Sequence, residues 1–212
     1  MLFRSLFKRK LSWNMSLIEL KKAFYLRGLR SLFLCSFLSF FGWAYFFEFI
    51  PVFLISRFQL SPFDIGIFFG VSGLFYAVSS GLLIRPFIRL FKTEHLLFGG
   101  LFFSSFSVFF MPFIPSSAWI FPLIFFVDFF ISFITPSATT LISNAASSKA
   151  QGEVLGVFTS VTAAAFALSP LFAGSLVGKY PSLPMWVGGS FMLLSALVYG
   201  ASIRKTLTRK QS

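Results

Sequence analysis

Two carboxylates stand inside long apolar runs of this chain, and each is of a type and setting that can carry protons or hold a cation. Asp128 is followed by Ser132, Thr135 and Thr139 at +4, +7 and +11. On a helix those offsets put one carboxylate and three hydroxyls along a single face, a polar stripe that must meet protein or water. Glu48 lies in WAYFFEFIPVF, residues 43–53, on a helical face with Phe41, Ala44, Tyr45 and Val52. A charge near the bilayer centre costs ~2.5–3.5 kcal/mol on insertion scales, so something must offset it. Pro51 follows three residues later, and its missing N–H frees a carbonyl on the preceding turn; local water or a neighbouring helix is expected there. Acids retained at such cost are proton carriers or cation ligands, or else hydrogen-bonded structural groups.

Other chemistries are excluded by what the chain lacks. Gly70-Val71-Ser72-Gly73 fits the Gly-x-Ser-Gly of intramembrane serine proteases, but the only histidine, His95, falls at the end of a different apolar run. Without a reachable base the serine is not activated. The single Cys35 rules out an intrachain disulfide and a cysteine-built metal cluster. No metal-ligand spacing or phosphate-cradling glycine loop occurs elsewhere, so neither cofactor nor metal is expected, and no enzymatic activity.

The elements that must position the two acids follow from composition. Of 212 residues, 57% are hydrophobic and only 11% charged, about half the charge of a soluble domain; the mean hydropathy is +0.86. The expected class is all-α and integral to a membrane. Six apolar stretches reach the ~20 residues that span a hydrocarbon core: 31–55, 64–84, 95–113, 118–141, 154–177 and 184–203. The net charge of +12 lies between these runs rather than on a soluble basic face, which argues for a topology signal and against nucleic acid. With both termini cytoplasmic, only Arg57 and Lys179 of the 18 lysines and arginines fall outside, the asymmetry of a six-span protein. Residues 1–30 form a basic segment with Leu17, Leu20 and Phe24 at helical spacing, read as an amphipathic helix on the inner leaflet. Residues 204–212 form a basic cytoplasmic tail.

An internal repeat emerges when the chain is shifted by 90 residues. Gly66-Ile67-Phe68 then overlies Gly156-Val157-Phe158, and Val71, Ala77 and Ser79 meet Val161, Ala167 and Ser169. The second span starts outside and the fifth inside, so the expectation is two inverted three-helix units, an architecture of transporters. Small residues recur at helical spacing in both spans (Gly66, Gly70, Gly73 and Ala77; Ala163, Ala164, Ala167 and Gly174), as close helix packing in lipid requires.

Two longer stretches carry a family resemblance. DIGIFFGVSGLFYAVSSGLLIRPFIRLFKTEHLL, residues 64–97, resembles the eighth span and following loop of major facilitator superfamily transporters, and more specifically the drug/proton antiporter branch containing the tetracycline efflux proteins. ITPSATTLISNAASSKAQGEVLGVFTSVTAAAFALSPLFAGSLV, residues 134–177, resembles the end of the tenth span, the loop and the eleventh span. The likeness covers about residues 31–203 and falls wholly within the C-terminal half of a twelve-span protein, with residues 1–30 matching the connection between halves. It implies secondary transport, proton-coupled efflux of a small molecule by alternating access, in the plasma or inner membrane.

By the same resemblance Glu48 and Asp128 serve proton coupling or substrate contact, Ser132 and Thr135 line the cavity, and Pro170 with Gly174 forms a hinge. Arg85 and Arg89 belong to the gating loop, although the aspartate of the family's loop motif is missing here. The family builds its cavity between two halves. A truncated product, a half that pairs with a separately encoded N-terminal half, and a homodimer all fit; the first two are favoured because the halves are not interchangeable in sequence. A non-transporting membrane scaffold or an inactive remnant is the alternative outside transport.

Overall fold

Residues 27–148, 150–173 and 179–211 are described by the structure, a computed structural model, with side chains over 29–148, 150–172 and 179–203. The amphipathic segment expected before residue 27, Lys149 and the hinge glycine Gly174 lie outside the described residues. No strand occurs among those described.

Helix α1 runs Arg27–Phe58, α2 Pro62–Val78, α3 Ile84–Leu90, α4 Thr93–Phe110 and α5 Ile120–Ile131. Helix α6 runs Ile134–Ala145, α7 Gln151–Ala173 and α8 Leu183–Gln211. They form six stretches long and apolar enough to cross a membrane: Leu29–Phe58, Pro62–Leu90, Thr93–Phe113, Ser117–Ala145, Gln151–Phe172 and Leu183–Ile203.

Local chemistry sets the turns. Gln59 takes the left-handed conformation at φ 55° and its N–H bonds Ile55 O at 3.0 Å, which closes α1. Two residues on, Ser61 and Asp64 form a reciprocal capping box with Pro62 in the first turn, so α2 starts at once. A loop was expected from Arg85 to Glu94; instead the helix continues to Leu90 through a π-helical turn, Ser79–Leu83. Pro86 cannot donate to a preceding carbonyl, and the wide turn just before it absorbs the defect without ending the helix. Arg85 and Arg89 are therefore exposed helical residues of α3, not loop residues. The fourth span is broken at Ser132–Phe133. There the Ser132 hydroxyl donates back to Phe129 O at 2.6 Å, and Pro136 withholds the N–H that would bond Ser132 O.

The main contacts between spans follow a pattern that survives exchange of the first three with the last three. The first span packs against the fifth and sixth, the fourth against the second and third, and the third and sixth against each other. Most residues paired by the 90-residue shift share their environments: Phe68 and Phe158 are buried, Gly66 and Gly156 exposed, Ser79 and Ser169 fully buried, while Ile67 is exposed and Val157 buried. The tightest crossing joins the first and sixth spans. A Cβ at Gly42 would stand 2.5 Å from Gly188 O, and one at Gly188 would stand 2.6 Å from Gly42 O, so neither backbone tolerates a side chain there. Beside it the Ser195 hydroxyl donates to Cys35 O at 2.7 Å. One buried cluster, with Phe33, Leu101, Ile142 and Phe158, fills the bundle near the start of α1; another, with Phe46, Phe53, Ile124 and Met185, fills it near the end.

Candidate functional site

Between those clusters, at mid-length of the spans, lies a cavity of about 510 Å³. The first span contributes Ser39, Phe40, Trp43 and Phe47 to its wall, at the helical spacing of one face. The second contributes Phe69, Ser72, Gly73 and Tyr76; the fourth Asp128, Ile131, Ile134 and Thr135; the fifth Phe166. The rings hold one another in place. Trp43 stacks on Phe47 at 4.9 Å between centroids, Phe47 meets Phe69 edge-on at 5.1 Å, and Phe40 tilts against Phe166 at 5.9 Å.

Among the described residues, Asp128 is the one charged residue of this wall. It is 1% exposed, and the Ser72 hydroxyl, 2% exposed, donates to its Oδ2 at 2.9 Å. A hydrogen bond to a carboxylate is roughly twice as strong as a neutral one, and this one joins the second span to the fourth. Among the described residues no lysine or arginine lies in the wall, so the carboxylate has a hydroxyl partner but no described counter-ion there.

The expected polar stripe divides at the break in the fourth span. Thr135 reaches the cavity. Ser132 is buried with its hydroxyl on Phe129 O, and Thr139 bonds Thr135 O at 2.8 Å; both serve their own helix. Glu48 is not brought to Asp128. It stands exposed on α1, one residue beyond Phe47 of the wall, while Ala44 and Tyr45 on its helical face are buried. Pro170 lies within α7 and is exposed. His95 is exposed in the first turn of α4, and the hydroxyl of Ser72 donates to the Asp128 carboxylate, so the protease-like motif lacks a histidine base and Ser72 instead holds an acid of the cavity wall.

Sequence reasoning overlooked Ser72 as a partner of Asp128, and also the aromatic wall. A signal for the pair existed. Ser72 lies ten residues after Pro62, and Asp128 eleven after Ser117, the starts of two spans that run in the same direction; the two side chains therefore sit at one depth.

Six apolar helices in two exchangeable units, four of them lining a half-open cavity with a single buried acid among the described residues, define an α-helical multi-pass membrane protein. The family model of the Major Facilitator Superfamily matches residues 10–211, and the chain belongs to that superfamily. Its general role is accordingly membrane transport. No curated protein matches the chain.

Proposed function

We propose that the chain is the C-terminal six-span half of a secondary active transporter that expels a small molecule in exchange for protons, with both termini cytoplasmic in the plasma or inner membrane. The observation that carries this reading is Asp128, buried and hydrogen-bonded to Ser72 in the wall of an otherwise uncharged cavity. A carboxylate with no fixed counter-ion at mid-membrane is stabilised by a proton or by cargo, which suits exchange of one for the other. The glycines supply a second line of support. Gly66, Gly70 and Gly73 in the second span and Gly152 and Gly156 in the fifth have nothing within 4 Å of a Cβ placed on them, unlike the tightly packed Gly42 and Gly188. Small residues on open faces fit close approach of further helices, here a separately encoded N-terminal half, and Gly73 borders the cavity itself.

The test is proton release driven by candidate solutes in inside-out vesicles from cells making the protein. Asp128→Asn is expected to abolish it at unchanged protein level, whereas Glu48→Gln, off the cavity wall, is expected to leave it intact. Solute-driven proton movement that persists in Asp128→Asn would refute the assignment. Purification as a lone six-span monomer with full activity would refute the half-transporter reading.

A further inference from the structure

We infer that the cavity around Asp128 takes an organic cation, a substituted ammonium or comparable onium group carrying apolar or aromatic substituents. The inference deepens the transport reading and rests on it for the assumption that this cavity is the cargo site. Charge comes first. The wall holds one carboxylate and no lysine or arginine, and a buried carboxylate binds an opposite charge far better than it binds a neutral or anionic solute. Only Oδ2 is engaged by Ser72, which fixes the carboxylate's orientation while leaving Oδ1 to a ligand.

The rings come next. Phe40, Trp43 and Phe47 line the cavity from the first span, Phe69 and Tyr76 from the second, and Phe166 from the fifth. Aromatic faces attract cations through their quadrupoles, most strongly when water is excluded, and the same rings accept apolar substituents. A cavity built for a hydrophilic metal ion would instead present several oxygen ligands. Here the only carboxylate among the described wall residues is Asp128, and the other side-chain polar groups are the neutral hydroxyls of Ser39, Ser72, Tyr76 and Thr135 and the Trp43 indole N–H. The backbone adds a smaller contribution of the same sign. Pro51 and Pro170 lie within their helices, and each withholds an N–H from the carbonyl four residues earlier, which belongs to Phe47 and to Phe166. Both are residues of the cavity wall.

The test compares three probes of similar bulk on the full chain, purified from its own membrane together with whatever accompanies it: tetraphenylphosphonium, triphenylphosphine oxide and tetraphenylborate. Equilibrium dialysis is expected to show the cation bound at least about tenfold more tightly than the neutral oxide, and the borate least. Asp128→Asn is expected to cut that preference to the smaller part the rings supply, with binding of the oxide still measurable, which also shows that the variant is folded. Phe47→Ala is expected to weaken both the cation and the oxide. Equal binding of cation and oxide, a preference undiminished in Asp128→Asn, or no binding of any probe to helical, monodisperse protein would overturn the inference. Because dialysis needs no gradient, cation-selective binding without solute-driven proton release would sink the transport reading alone. Asp128-dependent release driven by a neutral solute would sink the cation assignment alone.

Discussion

Replacing Gly42 with alanine tests whether the crossing of the first and sixth spans holds the bundle together. The added Cβ would stand 2.5 Å from Gly188 O, where ordinary contact begins at 3.4 Å, so the backbones must part by about 0.9 Å. A gap of ~0.5–1 Å forfeits a quarter to a half of the dispersion energy of the atoms it separates, and overpacking of a tight core costs ~1–3 kcal/mol. At ~2–4 °C per kcal/mol for a chain of this size, the melting temperature should fall by roughly 2–12 °C. The lone cysteine reports the event directly: Cys35 is 2% exposed, and its carbonyl accepts the Ser195 bond at the same interface. A thiol-reactive fluorophore should therefore light up at a lower temperature in Gly42→Ala. The matched control is Gly70→Ala, where a Cβ meets nothing within 4 Å and alanine gains up to ~1 kcal/mol of helix propensity over glycine. It should melt no earlier than the wild type, yet weaken association with a partner half, seen as a smaller assembly on sizing. A Gly42→Ala protein melting with the wild type, or a Gly70→Ala protein destabilised as much, would refute the packing argument.

Removing the hydroxyl that holds Asp128, by Ser72→Ala, should cost the ~1.5–3 kcal/mol typical of a hydrogen bond to a charged group. Solute-driven proton release should then fall by about tenfold or more at saturating substrate, with Ser72→Thr closer to the wild type than Ser72→Ala. Ser79 and Ser169 are buried with hydroxyls that have no partner among the described residues. Alanine at either should raise the melting temperature in the thiol assay, by ~2–4 °C per kcal/mol of desolvation relieved, and a fall at both positions would show that these hydroxyls are satisfied.

The number and class of the helices were legible because a bilayer imposes a length: each apolar run is either long enough to cross or it is not. Details that depend on where a helix tolerates a defect were not. Pro86 and the charges of Arg85 and Arg89 look like a loop, since proline and charge together usually end a span. The π turn at Ser79–Leu83 relocates the defect one turn earlier and keeps the helix going. Likewise +4, +7 and +11 from Asp128 presume an unbroken helix, and the turn at Ser132–Phe133 sends Ser132 to its own backbone while Thr135 still reaches the cavity. The Asp128–Ser72 bond joins residues 56 apart in sequence, and only their equal depth hinted at it.

Glycine shows most plainly what sequence pattern cannot separate. Gly42 and Gly188 lie in the same kind of apolar run as Gly66, Gly70 and Gly156, yet a Cβ on the first two would strike the opposing backbone and on the other three would strike nothing. Helical spacing alone puts small residues on a face; it does not say whether that face is used within the chain. The division falls by span. Gly42 of the first and Gly188 of the sixth meet each other, and Gly189 and Gly200 of the sixth meet Phe109 and Phe98 of the third, whereas the described glycines of the second and fifth, matched by the internal repeat, stay open, Gly73 at the cavity whose described wall holds one charge. Helices that close over those faces would complete the wall around Asp128 at backbone distance, and any polar group they carry would act on a carboxylate that Ser72 has already oriented.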